Sequence, residues 1–167
     1  MTFLTQRLMP RATPLLLIAN LLLGAPSLAQ ANTEADTILG HWRTIDDVTG
    51  FATARIEISK DATGKYVGTI REMFTRPNYA PIELCQNCPK PFTDRKVIGL
   101  PILWNLQANP TEAQRYNQGY VIDPLNGKIY AGDVKMSRDG RRITLRGKVI
   151  GAGLFNRSQT WLRDSHQ

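Results

Sequence analysis

Alternation of apolar and polar residues with a period of two, punctuated by Asp or Asn ahead of Gly, constrains this chain more than any other feature. In Arg142–Val149 the residues Ile143, Leu145, Gly147 and Val149 share one face, while Arg142, Thr144, Arg146 and Lys148 share the other. Successive side chains of an extended strand point to opposite sides, so this is a strand with one face in a core and one in water. Asp139-Gly140 precedes it, and both residue types accept the positive φ of a tight hairpin turn. Before the turn, Tyr130, Gly132, Val134 and Met136 alternate with Ala131, Asp133 and Lys135, so the two strands are expected to pair.

The same rule places strands near His41 to Asp46, Ala52 to Ser59, Lys65 to Phe74, Ile98 to Leu106, Gly119 to Asp123, Lys128 to Ser137, Arg142 to Val149 and Ser158 to Arg163. The connections at Asp46 to Gly50, Asp61 to Gly64 and Asp123 to Gly127 have matching turn chemistry. The fold class is therefore all-β, with about eight antiparallel strands. Eight strands lose their exposed edges by closing into an up-and-down barrel, whose interior is either filled by side chains or holds one small ligand. A sandwich is the structural rival. Two segments interrupt the meander: Thr75 to Lys96, with Pro77, Pro81, Pro89 and Pro91, and the polar stretch Gln107 to Gln118, where a helical turn is an option. Pro101 inside the fourth strand points to an edge or a bulge there.

Composition supports one folded domain. The chain has 167 residues of which 42% are hydrophobic, too apolar for a disordered chain, and its 13 Gly and 10 Pro follow no collagen-like period. Residues 1–31 have the plan of a secretory signal: Arg7 and Arg11, the apolar run Leu15 to Leu23, then a small-residue exit at Ser27-Leu28-Ala29 or at Ala29-Gln30-Ala31, the second being the literal A-x-A pattern. Asn20 interrupts the run and Gly24, Ala25 and Pro26 end it, leaving it too short to span a bilayer. The expectation is cleavage near Ala31, a single domain over 32–167, and a periplasmic or secreted protein. No Cys stands at the exit and the two arginines are not adjacent, so neither a lipid anchor nor the twin-arginine route is indicated. Removing this segment takes away two arginines and no acid, so the basic excess behind the net charge of +7 persists.

Several stretches together resemble a family of small secreted bacterial proteins, domain of unknown function 2147. They are Gly40-His41-Trp42-Arg43-Thr44-Ile45-Asp46-Asp47 with Thr49-Gly50, the pair Cys85-Gln86-Asn87-Cys88, Gly119 to Tyr130, Leu145-Arg146-Gly147, and Ser158 to Arg163. The resemblance implies a lipocalin-like, calycin-type barrel exported to the periplasm or beyond, and carries no activity with it. Such barrels often stack an Arg from the last strand over a Trp from the first to plug one end, and Trp42 and Arg163 are the matching residues. The plain alternative is a buried strand Trp with an unrelated surface Arg. A plug would direct any ligand to the opposite mouth.

The residues offer little chemistry. In an exported protein Cys85 and Cys88 read first as a structural disulfide pinning the proline-rich loop. A redox dithiol would want a helix N-terminus in a βαβ setting, which the surrounding prolines do not suggest. Closed zinc sites use four ligands, against two cysteines, His41 and a tail His166 here, so no metal and no cofactor is expected. No G-x-S-x-G elbow accompanies His41, and Asp46-Asp47 read as turn residues. Gly151-Ala152-Gly153 reads as a flexible turn rather than a phosphate loop. The chain is thus expected to be no enzyme. Arg138, Arg141, Arg142, Arg146 and Lys148 gather around one hairpin, either as a solvated outer face or as a contact for an envelope surface or acidic protein partner. Nucleic acid does not fit the compartment. A small apolar or amphipathic ligand remains, and Tyr66, Ile70, Trp104, Tyr130, Val134, Met136, Ile143 and Leu145 are the residues expected to face its cavity. The alternative is that these side chains fill the barrel and the protein works through its basic hairpin and proline-rich loop.

Overall fold

The computed structural model describes residues 38–76, 79–150 and 156–165. The expected signal segment, the tail His166, the Gly151-Ala152-Gly153 turn and the side chain of Val149 lie outside the described residues. Eight strands follow in order: β1 (Gly40–Ile45), β2 (Ala52–Lys60), β3 (Tyr66–Met73), β4 (Pro101–Ala108), β5 (Arg115–Ile122), β6 (Ile129–Met136), β7 (Arg142–Val149) and β8 (Asn156–Arg163). Each pairs antiparallel with its sequence neighbour, and β8 pairs with β1, so the sheet closes into an up-and-down barrel rather than a sandwich. Among the described residues no helix is long and apolar enough to cross a membrane.

The turn chemistry operates as the sequence requires. Asp46 Oδ1 accepts the Thr49 amide at 2.7 Å, Asp61 Oδ1 that of Thr63 at 2.8 Å, and Asp139 Oδ1 that of Arg141 at 3.1 Å. Gly140, at φ 67°, closes the β6–β7 hairpin, where Met136 faces Ile143 and Val134 faces Leu145 in the expected register.

Up-and-down order divides the connections between two ends. The β2–β3, β4–β5 and β6–β7 turns sit at the end where the chain enters and leaves the barrel; the β1–β2, β3–β4, β5–β6 and β7–β8 connections sit at the other. The first end is packed solid. Trp42, Trp161, Ile58, Met136 and Ile143 are all buried there, and burying each such side chain contributes roughly 1.5–3 kcal/mol. Arg43 and Arg55 stand opposite each other across β1 and β2, a repulsive pairing, but Asp164, just past β8, lies between them. Its carboxylate takes Arg55 Nε at 2.6 Å and approaches Arg43 Nε at 3.8 Å, so one acid ties β8, β1 and β2 together at the closure seam.

Of the two options at Pro101, the sheet edge is excluded because the barrel has none, while an irregularity of the bulge kind is present: Pro101 is the first residue of β4, where a missing N–H costs no ladder bond, and the β3–β4 register shifts between its pairing with Thr69 and that of Leu103 with Gly68. One expectation is corrected. The stretch Gln107 to Gln118 holds no helical turn: it is the end of β4, a short turn in which Asn109 Oδ1 accepts the amides of Thr111 and Glu112, and the first half of β5. A paired kink hides these strands from a period-two reading. Asn105 and Gln118 lie on neighbouring strands between the Trp104–Tyr120 and Gln107–Asn117 pairs, both with φ 59°, and Asn105 Nδ2 donates to the Gln118 carbonyl at 2.9 Å. Left-handed residues on both strands reverse the in–out parity beyond them.

Candidate functional site

The end opposite the plug is open. Here the barrel encloses a cavity of about 310 Å³, walled by side chains of all eight strands and bordered by the β1–β2 and β5–β6 turns. Ile56, Ile70, Leu103, Leu106, Val134 and Leu145 supply its apolar wall.

A row of glycines makes the room. Gly119 pairs with Gly132 across β5 and β6, and Gly132 with Gly147 across β6 and β7, and all three line the cavity. A Cβ on Gly119 would come within 2.7 Å of Leu106 Cδ1, and one on Gly132 within 1.9 Å of the Arg146 carbonyl oxygen. Three adjacent strands therefore present bare backbone where other positions would project side chains inward.

Polar groups concentrate toward the mouth. Arg157, at the start of β8, forms an ion pair with Asp123 at the end of β5 and reaches the Tyr130 hydroxyl at 3.4 Å, with its guanidinium 5.6 Å from the Tyr130 ring centroid. Burial disfavours the Arg157 charge, but the hydrogen bonds to Tyr130 and Asp123 outweigh it and its pKa lies above the ordinary guanidinium value. Arg157, Asp123 and Tyr130 thus form a fixed, charge-balanced polar group on an otherwise apolar wall. Deeper in, Thr44 and Thr53 share a hydrogen bond between hydroxyls. Among the described residues no three of His, Cys, Asp or Glu gather to hold a metal ion.

Of the side chains expected to face the cavity, Ile70, Tyr130, Val134 and Leu145 line it. Tyr66, Met136 and Ile143 are buried but belong to the packed end, where Tyr66 meets Tyr116 edge-on at 5.2 Å. Trp104 is a correction. It lies on the outer side, between Phe92 of the proline-rich segment and Tyr120, at centroid distances of 5.3 and 5.8 Å, because the kink at Asn105 breaks its alternation with inward Leu106. The sequence reading missed Arg157, Asp123 and the glycine row. The glycines left a signal, since Gly132 and Gly147 both occupy inward positions of well-defined strands.

Trp42 and Arg163 face each other across the β1–β8 seam, with the guanidinium 4.2 Å from the indole centroid. Cys85 and Cys88 are joined by a disulfide within the β3–β4 connection. The basic residues divide: Arg138, Arg141 and Arg142 sit at the plugged end, whereas Arg146 and Lys148 run along β7 toward the mouth.

With this geometry in view, residues 40–163 match the family described as an uncharacterized protein conserved in bacteria, domain of unknown function 2147. The chain belongs to that family. Among solved structures, this member of the domain of unknown function 2147 family is similar to protein HP1028 from Helicobacter pylori, described as belonging to the lipocalin family. The two share 18% identity over 77% of this chain and 83% of that one, with a TM-score of 0.60. At that identity the likeness shows the fold, which is lipocalin-like. No curated protein matches the chain.

Proposed function

We propose that this protein is an exported, non-catalytic binding protein whose barrel holds one small apolar or amphipathic molecule. The observation that carries this reading is the open-ended cavity itself. At about 310 Å³ it stands at the small end of the range for ligand pockets, roughly 300–1,000 Å³, so it suits a short acyl chain or a compact ring system better than a long lipid. An apolar wall with one fixed polar group at the rim is the arrangement that orients an amphipathic ligand, apolar part inward and polar end toward Arg157, Tyr130 and the mouth. The lipocalin-like fold supports a binding role, and the signal-like residues 1–31 support export.

The rival reading, a filled barrel acting through the basic hairpin and the proline-rich loop as one contact surface, is less well supported. The hairpin turn and that loop belong to opposite ends of the barrel. The test is native mass spectrometry of the protein isolated from the bacterium that makes it, followed by denaturation and extraction, with a fluorescent apolar probe titrated into the emptied protein. A defined bound molecule, or probe binding that Val134→Trp weakens at least about tenfold by filling the wall, supports the reading. An empty protein that also takes no probe overturns it.

A further inference from the structure

Seven large apolar side chains are exposed among the described residues, and their distribution is one-sided. Val48 and Phe51 lie on the β1–β2 connection, Leu84 and Ile98 on β3–β4, Leu125 on β5–β6 and Ile150 on β7–β8. All four of these connections belong to the open end, and Leu39 alone is at the plugged one. Val48 is 94% exposed and Phe51 58%. An exposed large apolar residue is unremarkable singly, but Val48, Phe51, Leu125 and Ile150 stand on three connections at one cavity mouth and form an organised surface, whereas Ile98 lies beside mid-β3, where the next residue, Gly99, donates to the Ile70 carbonyl.

We propose that the open end docks onto a lipid bilayer, with the turn tips entering the headgroup–acyl boundary and the cavity mouth facing the lipid. Three features favour a bilayer over a folded partner. The apolar residues stand on separate turns, as distinct points rather than one flat patch a complementary protein face would cover. They are continuous with the cavity's apolar interior, since Val48 and Leu125 border the cavity as well as standing exposed. Cations also flank the tips: Arg76 donates to Thr49 Oγ1 at 3.1 Å, exposed Lys128 closes the Leu125 turn, and exposed Lys148 stands two residues before Ile150. The acid Asp46 is engaged by the amides of Val48 and Thr49, which leaves Asp47 as the exposed carboxylate beside Val48. Apolar tips with these cations beside them suit the anionic surface of a bilayer, where insertion and headgroup attraction add, with Asp46 and Asp47 on the β1–β2 turn and Glu83 beside Leu84 as the opposing charges. The purpose of the docking rests on the cavity reading: a ligand of low water solubility would pass between bilayer and barrel without crossing water.

The test is co-sedimentation of the purified protein with vesicles of phosphatidylethanolamine and phosphatidylglycerol, comparing wild type with Phe51→Asp/Ile150→Asp, two exposed positions that do not line the cavity, and with Leu39→Asp at the plugged end. Wild type and Leu39→Asp are expected to sediment with the vesicles, and the double variant to partition at least about tenfold more weakly. Thermal unfolding of each variant, and probe binding in vesicle-free solution, show that fold and cavity are intact. Absence of wild-type binding, equal binding by the double variant, or loss of concentration-dependent self-association in place of vesicle binding would each overturn the proposal. Because probe binding in solution is read separately, failure here leaves the cavity reading standing, and failure there leaves docking standing.

Discussion

Arg163 closes the barrel over Trp42. Its guanidinium lies 4.2 Å from the indole centroid and donates to two backbone carbonyls, Gly140 at 2.7 Å and Leu39 at 3.1 Å, while the indole Nε1 donates to the Ile38 carbonyl at 2.9 Å. One side chain thereby joins the end of β8, the β6–β7 turn and the chain just before β1. Burial draws its pKa down, which marks a cation held partly out of water by its surroundings. Arg163→Ala is expected to cost about 2–3 kcal/mol in urea unfolding, from the lost stacking and the lost charge-assisted hydrogen bonds. Arg163→Lys should recover only part, because an ammonium cannot spread donors across both carbonyls and stack as well. Probe binding at the far mouth should be unchanged at temperatures where the variants are folded.

The glycine row predicts a graded response. At Gly132 the obstacle to a Cβ is backbone, the Arg146 carbonyl oxygen at 1.9 Å and Gly147 Cα at 2.6 Å. Gly132→Ala therefore has to force β6 and β7 apart, and a loss at or above the top of the usual 1–3 kcal/mol overpacking range is expected. At Gly119 the obstacle is the far end of a flexible side chain, Leu106 Cδ1, which can rotate away into the cavity. Gly119→Ala should cost only about 1 kcal/mol but reduce probe affinity by shrinking the space. Denaturant midpoints and probe titrations on the two variants check the contrast; equal costs would show that the strands are not so closely held.

Where strand alternation is unbroken, the sequence was legible almost to the residue. The β6–β7 hairpin has the expected register, and Val134, Leu145 and Tyr130 reach the cavity because parity counted from Asp139-Gly140 holds along both strands. Legibility fails where backbone geometry, rather than side-chain pattern, sets direction. Asn105 and Gln118 carry no period-two signature of their left-handed conformation, so parity counted along β4 pointed Trp104 inward and left the first half of β5 unread. Depth is likewise invisible to alternation. Tyr66 and Met136 face the interior but lie near turns of the plugged end, a distinction that only closure of the barrel creates. Arg157 went unnoticed because its partner Asp123 read as an ordinary turn residue, which it also is.

Acid should unfold the protein partly through its turns. Asp46 is held below the ordinary aspartate pKa first by the Thr49 amide, Asp61 first by the Thr63 hydroxyl, and Asp139 first by the Ser137 hydroxyl. Folded-state values depressed below the unfolded value of about 3.9 mean that these carboxylates contribute stability above that pH and lose it as pH falls through the lower folded values. The denaturant midpoint is therefore expected to decline below about pH 4. In Asp46→Asn/Asp61→Asn/Asp139→Asn, which keeps an acceptor oxygen in each turn, the decline over that window should be shallower. An equally steep decline would place the acid sensitivity elsewhere.

The disulfide is expected to act as a local pin for the mouth. Cys85 is fully buried, its amide donates to the Arg95 carbonyl at 2.9 Å, and its carbonyl accepts the Asp94 amide at 3.1 Å. The same short turn abuts the β5–β6 turn at the mouth: a Cβ on Gly127 would stand 1.8 Å from the Asn87 carbonyl oxygen, a closeness that only glycine permits. Bridging residues three apart in sequence closes a very short loop, and loop-closure entropy then amounts to only about 2 kcal/mol. Cys85→Ser/Cys88→Ser should lose about that much stability, with amide hydrogen exchange quickening at Cys85, Asp94 and Gly127 while the packed end around Trp42 keeps its protection. Probe binding should survive the substitution with at most a modest loss of affinity, since neither cysteine lines the cavity. Unchanged stability together with unchanged exchange at Gly127 would mean that the bridge does not hold the mouth.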